Sequence, residues 1–435
     1  NPDSAIDLIS SIKNLPPGLR GAADMEDLEV FEAYQARLKK LGAVDLDDLI
    51  IETIDILMSK KARIDPAIAH IMVDEYQDVN FSQALLIGLI SLNAKGLFAI
   101  GDPDQSIYAF RGASLKSFID FQNNHTDTQI IKLAVNYRSS SAIISASQSI
   151  IKHNLIRIDN DVTGVKEGGE IFLINCPDEK AEAEFIVKEI ESLMGGLTSL
   201  TAADAEDGVG FSDFAVFFRT RQQSAVIADA FSRSSVPYHL VGPTEEEFNG
   251  FMTKLREGTI GEGDRLSQIV KEAGKVSGAG KDLVELFQLK ARRFEDVPKE
   301  EALKRFVEYM SFLCPVDDYD LKADKVNLMT LHSSKGLEFK TVFIAGAEDG
   351  LIPLRFKGKD LDIEEERRLF YVGLTRAKDR VYILSSQKRR LWGEIKERAP
   401  SPFIKEIPSL LLKTEDVIKK KFMKKPVQKG LFGNE

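Results

Sequence analysis

The chain has 435 residues, too many for one ordinary core, so two or three domains are expected. Hydrophobic residues at 43% and charged residues at 29% describe a globular protein, and no apolar run approaches bilayer-spanning length. A net charge of −10 argues against non-specific coating of nucleic acid, so binding of a polyanion would need a local groove.

The first residues, Asn1-Pro2-Asp3-Ser4, do not resemble a signal peptide or an initiator start, and suggest a chain beginning inside a longer protein. The two cysteines, Cys176 and Cys314, lie far apart and fit a reducing cytosol, where they read as small buried hydrophobes. The five histidines, His70, His125, His153, His239 and His332, show no zinc-ligand spacing.

Residues 1–66 read as helical. Leu28, Phe31, Tyr34, Leu38 and Leu41 recur at steps of three and four, and a second helix is expected from Asp47 through Met58. From Ile71 short apolar runs alternate with helical patterns. Strands are expected at Ile71–Val73, Leu97–Ile100 and Gln129–Leu133, with a helix over Ser82–Leu92. A second series follows at Glu170–Asn175, Phe214–Phe218, Val326–Thr330, Thr341–Ala345 and Val381–Leu384. Helices near Lys180–Met194 and Ser224–Ser234 separate some of these. Such alternation predicts an α/β fold with parallel sheets. Residues 195–212 read as a loop insertion and 243–323 as a small helical insert. The Lys-rich tail from 401 is expected to be flexible beyond about Leu412.

Four stretches carry chemistry. Ile71-Met72-Val73-Asp74-Glu75-Tyr76-Gln77-Asp78 is an apolar strand ending in two carboxylates. At the C-terminal edge of a parallel sheet, one carboxylate can hold Mg²⁺ and its neighbour can polarise a water. Gly101 to Gly112 also follows a strand. In it, Gln105 can hydrogen-bond a terminal phosphate, Tyr108 and Phe110 can offer rings to unpaired bases, and Arg111 can meet a phosphate. Asn136-Tyr137-Arg138-Ser139 sets a ring beside a guanidinium, as a nucleotide site requires. Finally, Arg376 stands just before a strand, while Glu364–Arg368 reads as a solvated helix face with i,i+4 pairs.

Asp74-Glu75-Tyr76-Gln77-Asp78, Gly101-Asp102-Pro103-Asp104-Gln105-Ser106-Ile107-Tyr108, Asn136-Tyr137-Arg138-Ser139, Leu331 to Phe339 and Tyr371 to Lys378 occur in that order. Together they resemble motifs II to VI of UvrD/Rep/PcrA-type superfamily 1 DNA helicases. The resemblance spans roughly residues 30–390. It implies two RecA-like domains, the first incomplete over 67–134 and the second over 135–242 and 324–400. By the same resemblance Asp74 would bind Mg²⁺, Glu75 would activate the hydrolytic water, and Gln105 would sense the γ-phosphate of ATP. Arg138 and Arg376 would act as arginine fingers from the second domain, with Tyr137 near adenine, Glu338 on the ribose and Gly336 allowing close backbone approach. Tyr108, Phe110, Arg111 and His332 would line a single-stranded DNA track, with 3′→5′ movement expected. Family members often carry Trp at the Phe110 position, so stacking there would be weaker.

No Gly-x-x-x-x-Gly-Lys-[Ser/Thr] occurs. Gly274 to Asp282 is a decoy, with five residues between its glycines and Asp282 where a hydroxyl is required. The chain is therefore expected to be the C-terminal portion of a helicase, inactive without an N-terminal part that supplies the phosphate loop. The insert at 243–323 is shorter than the regulatory subdomain of the family. Gln428-Lys429-Gly430-Leu431-Phe432 resembles peptides that dock on sliding clamps through Gln428, Leu431 and Phe432. The rival reading is a non-catalytic DNA- or protein-binding scaffold derived from a helicase, and the intact Asp74, Glu75, Gln105, Arg138 and Arg376 disfavour it.

Overall fold

The structure is a computed structural model that describes residues 2–15, 24–61, 64–65, 67–109, 112–113, 115–125, 127–158, 160–195, 209–241, 245–256, 265–277, 284, 287–288, 290–294, 301–303, 305–306, 324–355, 361–391 and 394–417. The chain forms two compact units. One comprises Asn1–Glu167 with Phe356–Thr375, the other Gly168–Arg355 with Arg376–Glu435. Among the described residues no helix is long and apolar enough to cross a membrane.

In the first unit, strand β1 (His70–Val73) pairs in parallel with β2 (Gly96–Ala99), His70 opposite Gly96 and Val73 opposite Ala99. The Phe81–Ser91 helix connects them. It starts at a reciprocal cap in which Asn80 Oδ1 accepts from the Gln83 N–H and Gln83 Oε1 accepts from the Asn80 N–H. Helices Met25–Leu41 and Leu46–Met58 lie upstream, as the periodicity predicts. The apolar stripe of the first is nowhere fully buried.

The run Gln129–Leu133, expected as a strand, is irregular, and Ile131 and Leu133 are exposed. The strand falls instead on β3 (Val135–Ser140), which pairs with β4 (Thr163–Lys166). The side chain of Asn136 turns this segment by accepting the N–H groups of Arg138 and Ser139, both at 2.9 Å. The 134/135 domain boundary expected from the motifs lies within this unit, because β3 and β4 pair and the Ser141–Ile151 helix packs on Ile363–Thr375.

The second unit is built on an eight-stranded sheet. Its strands are β5 (Glu170–Asp178), β6 (Phe214–Phe218), β7 (Tyr238–Leu240), β8 (Val326–Thr330), β9 (Phe339–Ile344), β10 (Ala377–Leu391), β11 (Glu394–Glu397) and β12 (Leu412–Asp416). The order is β12-β5-β10-β9-β6-β8-β7, all parallel, with β11 antiparallel to β10. Continuous apolar runs such as Phe-Ala-Val-Phe-Phe in β6 are buried at every position, as a parallel sheet covered on both faces requires. Helix Glu179–Leu193 covers part of one face and begins at Asp178, whose Oδ1 accepts the Ala181 N–H at 2.9 Å.

Where a flexible tail is expected, residues 402–406 and 409–411 form short 3₁₀ turns and 412–416 form the edge strand β12 on β5. Lys413 Nζ bonds Glu170 at 2.5 Å, so a largely polar Leu-Lys-Thr-Glu-Asp segment gains both ladder and ion pair. The clamp-like residues Gln428, Leu431 and Phe432 lie outside the described residues, as do Phe110, Arg111 and Cys314.

In the region 243–323 the described helices are Glu245–Arg256 and Leu266–Ser277. Phe251, Leu255, Ile269, Val270, Phe287 and Phe306 form a separate apolar core. Cys176 is buried, which pushes its thiol pKa up.

Candidate functional site

Asp74 and Glu75 stand at the C-terminal end of β1, both exposed. The chain turns sharply there. Glu75 adopts φ 52° and ψ 40°, left-handed values unusual for a residue with a side chain, and Asp74 Oδ1 accepts the Glu75 N–H at 2.9 Å. A 3₁₀ turn, Tyr76–Asp78, follows, with Tyr76 buried against Phe118 and Phe121 at ring-centroid distances of 6.1 and 5.1 Å.

The loop after β2 closes on this turn. The Ile100 N–H donates to Val73 O at 2.8 Å and the Tyr76 N–H to Ile100 O at 2.9 Å, so both loops leave from one sheet edge. Asp102 caps the Pro103–Gln105 3₁₀ turn by accepting the Asp104 N–H at 3.0 Å, and its other oxygen accepts Gln105 Nε2 at 2.8 Å. Gln77, fully buried, bridges the two loops. Its Nε2 donates to Glu75 Oε2, and its Oε1 accepts the Asp102 N–H at 3.1 Å. The structure thus joins Asp74, Glu75 and Gln105 in one hydrogen-bonded chain at the C-terminal edge of a parallel sheet, where open α/β folds bind ligands.

Neither Gln77 nor Asp102 was singled out by sequence reasoning. A polar residue two positions beyond a paired carboxylate was the available signal.

The run Glu364–Arg368 is not the solvated face it was expected to be. Glu366, Arg367 and Arg368 are buried. Arg368 Nε donates to Ser106 O at 2.7 Å, Glu365 Oε1 accepts the Ala109 N–H at 2.9 Å, and Arg367 Nη1 bonds Asn154 Oδ1 at 2.6 Å. Ser106 Oγ in turn donates to Gln77 O at 3.1 Å. The helix Ile363–Thr375 is buried from Glu366 onward, so its charges face protein and need fixed partners. The sign was there to read: five successive residues from Leu369 to Gly373 carry no charge and leave no polar face.

Burial and the neighbouring Asp102 push the Asp104 carboxyl up to about 6, against the opposing pull of Arg157, whose Nη2 lies 3.3 Å away, and of Arg368. Burial likewise holds Glu365 above the usual carboxylate range. Tyr108 is half-buried, and Tyr137 and Arg138 are exposed on β3, a different sheet from β1–β2.

The second unit carries the other predicted residues. His332 begins a 3₁₀ turn just past the C-terminal end of β8, where the Leu331 N–H still donates to Phe218 O at 2.9 Å. The same connection ends at Glu338, against the N-terminal end of β9. Gly336 has φ +83° and open space beside it, so the backbone there is accessible to a ligand. Arg376 is buried. Its Nη1 donates to Leu337 O at 3.4 Å and its carbonyl accepts the Phe339 N–H at 2.9 Å. Glu338 pairs with Lys378 at 2.6 Å. Gly336, Glu338 and Arg376 therefore gather at one edge of the sheet, and His332 lies at the opposite end of the crossover.

On this geometry the comparisons with known proteins bear directly. A model described as the UvrD-like helicase C-terminal domain matches residues 131–254 and 264–388, and one described as the UvrD/REP helicase N-terminal domain matches residues 14–126. The chain belongs to the UvrD-like helicase family.

A relative from Staphylococcus epidermidis named ATP-dependent DNA helicase PcrA is 30% identical over 88% of this chain, which spans 64% of that relative's length. Its Leuconostoc citreum namesake is 29% identical over 95% of this chain and 68% of its own. A solved structure described as the C-terminal domain of a possible DNA helicase from Lactobacillus plantarum overlaps with a TM-score of 0.31 at 13% identity. It covers 64% of this chain and 98% of its own length, too slight a likeness to define the fold.

Proposed function

We propose that these residues belong to an ATP-driven DNA helicase that moves 3′→5′ along single-stranded DNA. The observation that carries the reading is the chain Glu75–Gln77–Asp102–Gln105, which ties a carboxylate to an amide through Gln77 and Asp102 at the edge of β1–β2. Phosphoryl transfer to water needs positioning and charge neutralisation more than covalent chemistry, and such an edge supplies the positioning.

Asp74 offers an exposed carboxylate, the hard oxygen donor that Mg²⁺ takes singly or in pairs beside substrate phosphates. A Mg²⁺ held there would neutralise phosphate charge. Glu75 orients and deprotonates the attacking water, and Gln105 hydrogen-bonds the γ-phosphate. Arg138 and Arg376 meet the charge that develops on it. Tyr137 lies against adenine, Glu338 takes the ribose hydroxyls, and Gly336 lets the backbone approach. Tyr108, Phe110, Arg111 and His332 contact the DNA strand. Gln428, Leu431 and Phe432 dock on a sliding clamp.

The 435 residues contain no Gly-x-x-x-x-Gly-Lys-[Ser/Thr], so in this reading an N-terminal part of the same helicase supplies the phosphate cradle. The exposed apolar side chains of β1–β2, Met72 and Phe98 among them, support further polypeptide against that small sheet.

The test is complementation. Residues 1–435 alone should hydrolyse ATP negligibly, and an added fragment bearing the phosphate loop should restore DNA-stimulated hydrolysis. Vigorous hydrolysis by residues 1–435 alone would refute the division of labour. No hydrolysis after complementation would favour the scaffold.

A further inference from the structure

Gln77 has no part in the roles above, yet it is the best-placed polar side chain near them. It is fully buried, and its amide is oriented by chemistry alone: only the NH₂ can donate to the Glu75 carboxylate, and only the carbonyl oxygen can accept the Asp102 N–H. Three further features fix it. Glu75 adopts a left-handed conformation in which its N–H donates to Asp74 Oδ1 at 2.9 Å. Gly101 approaches so closely that a Cβ there would overlap Gln77 Oε1. Ser106 Oγ donates to the backbone carbonyl of Gln77 at 3.1 Å and so holds the residue's main chain in place.

We propose that Gln77 is a positioning residue that locks the Glu75 carboxylate to the 101–105 loop, so that Glu75 and Gln105 take up their orientations together. The path runs from Glu75 Oε2 to Gln77 Nε2, from Gln77 Oε1 to the Asp102 N–H, and from Asp102 Oδ2 to Gln105 Nε2 at 2.8 Å. A change at Gln105 then reaches Glu75 through three hydrogen bonds, and a water is activated only when both side chains are set. The inference rests on the ATPase reading for its consequence, but its geometry stands apart from it.

Two variants test it. Gln77→Met keeps the length of the side chain and removes both polar atoms. Gly101→Ala alters no polar group and displaces the amide by bulk alone. In residues 1–435, hydrogen exchange of the Asp102 amide should quicken about tenfold in Gln77→Met, the loss of one hydrogen bond. It should quicken also in Gly101→Ala, while the Ile100 amide, bonded to Val73 O, keeps its rate. In the longest native polypeptide containing these residues, both variants should lower kcat for ATP about 10- to 100-fold, with KM within about twofold.

Unchanged Asp102 exchange in both variants overturns the bridge, whatever the ATPase does. Faster exchange with unchanged kcat overturns the positioning role. If the unsubstituted polypeptide hydrolyses no ATP, the proposed function fails, and the exchange measurement still decides the bridge.

Discussion

The two parallel sheets differ in what holds them. In β6 the side chains of Phe214, Phe217 and Phe218 are each at most 1% exposed, whereas in β1–β2 Met72 is 73% and Phe98 54% exposed. The large sheet is kept in place by apolar burial on both faces. The small one, which carries Asp74 and Glu75, is kept by polar ties: Gln77 to Asp102, Ser106 to Gln77, Arg368 to Ser106 and Glu365 to Ala109. Directional bonds give such a site its defined side-chain orientations. It also loses those orientations one bond at a time.

The widest contrast should come from truncating one apolar side chain in each sheet. Phe217→Ala should destabilise the second unit by about 3–5 kcal/mol, and Met72→Ala should change the first by no more than about 0.5 kcal/mol. Urea midpoints for each unit measure this, and comparable losses at both positions would erase the distinction.

Arg368→Met should cost the first unit about 1–3 kcal/mol, because Ser106 O is left buried without its donor. The same denaturation series reads it. A neutral result would mean that the ties to the Ile363–Thr375 helix do not hold the loop.

The smallest effect is a pH dependence. The Asp104 carboxyl is raised from 3.8 to about 6, so the folded unit holds its proton more tightly than the unfolded chain does. That contribution is complete below about 3.8 and is lost as pH rises towards about 6. The stability of the native first unit relative to Asp104→Asn should therefore fall between pH 4 and pH 6, a window set by the same two values, and level off above it. A relative stability that rises across that window would reverse the sign.

How legible the molecule was in its sequence follows the same divide. Phe214–Phe218 was readable to the residue because a strand buried on both faces is a continuous apolar run, and Val326–Thr330 because Val326, Leu328 and Met329 keep most of that texture around Asn327. Gln129–Leu133 is also rich in apolar residues but pairs with no strand among the described residues, and the polar Val135–Ser140 forms the strand instead. Leu412–Asp416 looked like tail because an edge strand needs few apolar residues when its ladder and Lys413 supply the attachment. At the site, Asp74, Glu75 and Gln105 stood out because adjacent carboxylates and a loop amide after a strand have few structural uses. Arg368 was hidden because its partner is a backbone carbonyl that no side-chain pattern announces, and Gln77 because half of its bridge is the Asp102 backbone N–H, although its spacing from Glu75 was a signal.

The account turns on Glu75 as the group that activates water. In the longest native polypeptide containing residues 1–435, ATP hydrolysis should be measured with single-stranded DNA for the native protein and for Glu75→Gln. A fall in kcat of about 10²-fold or more, with ATP binding retained, is the predicted result. Hydrolysis by Glu75→Gln at the native rate would contradict it.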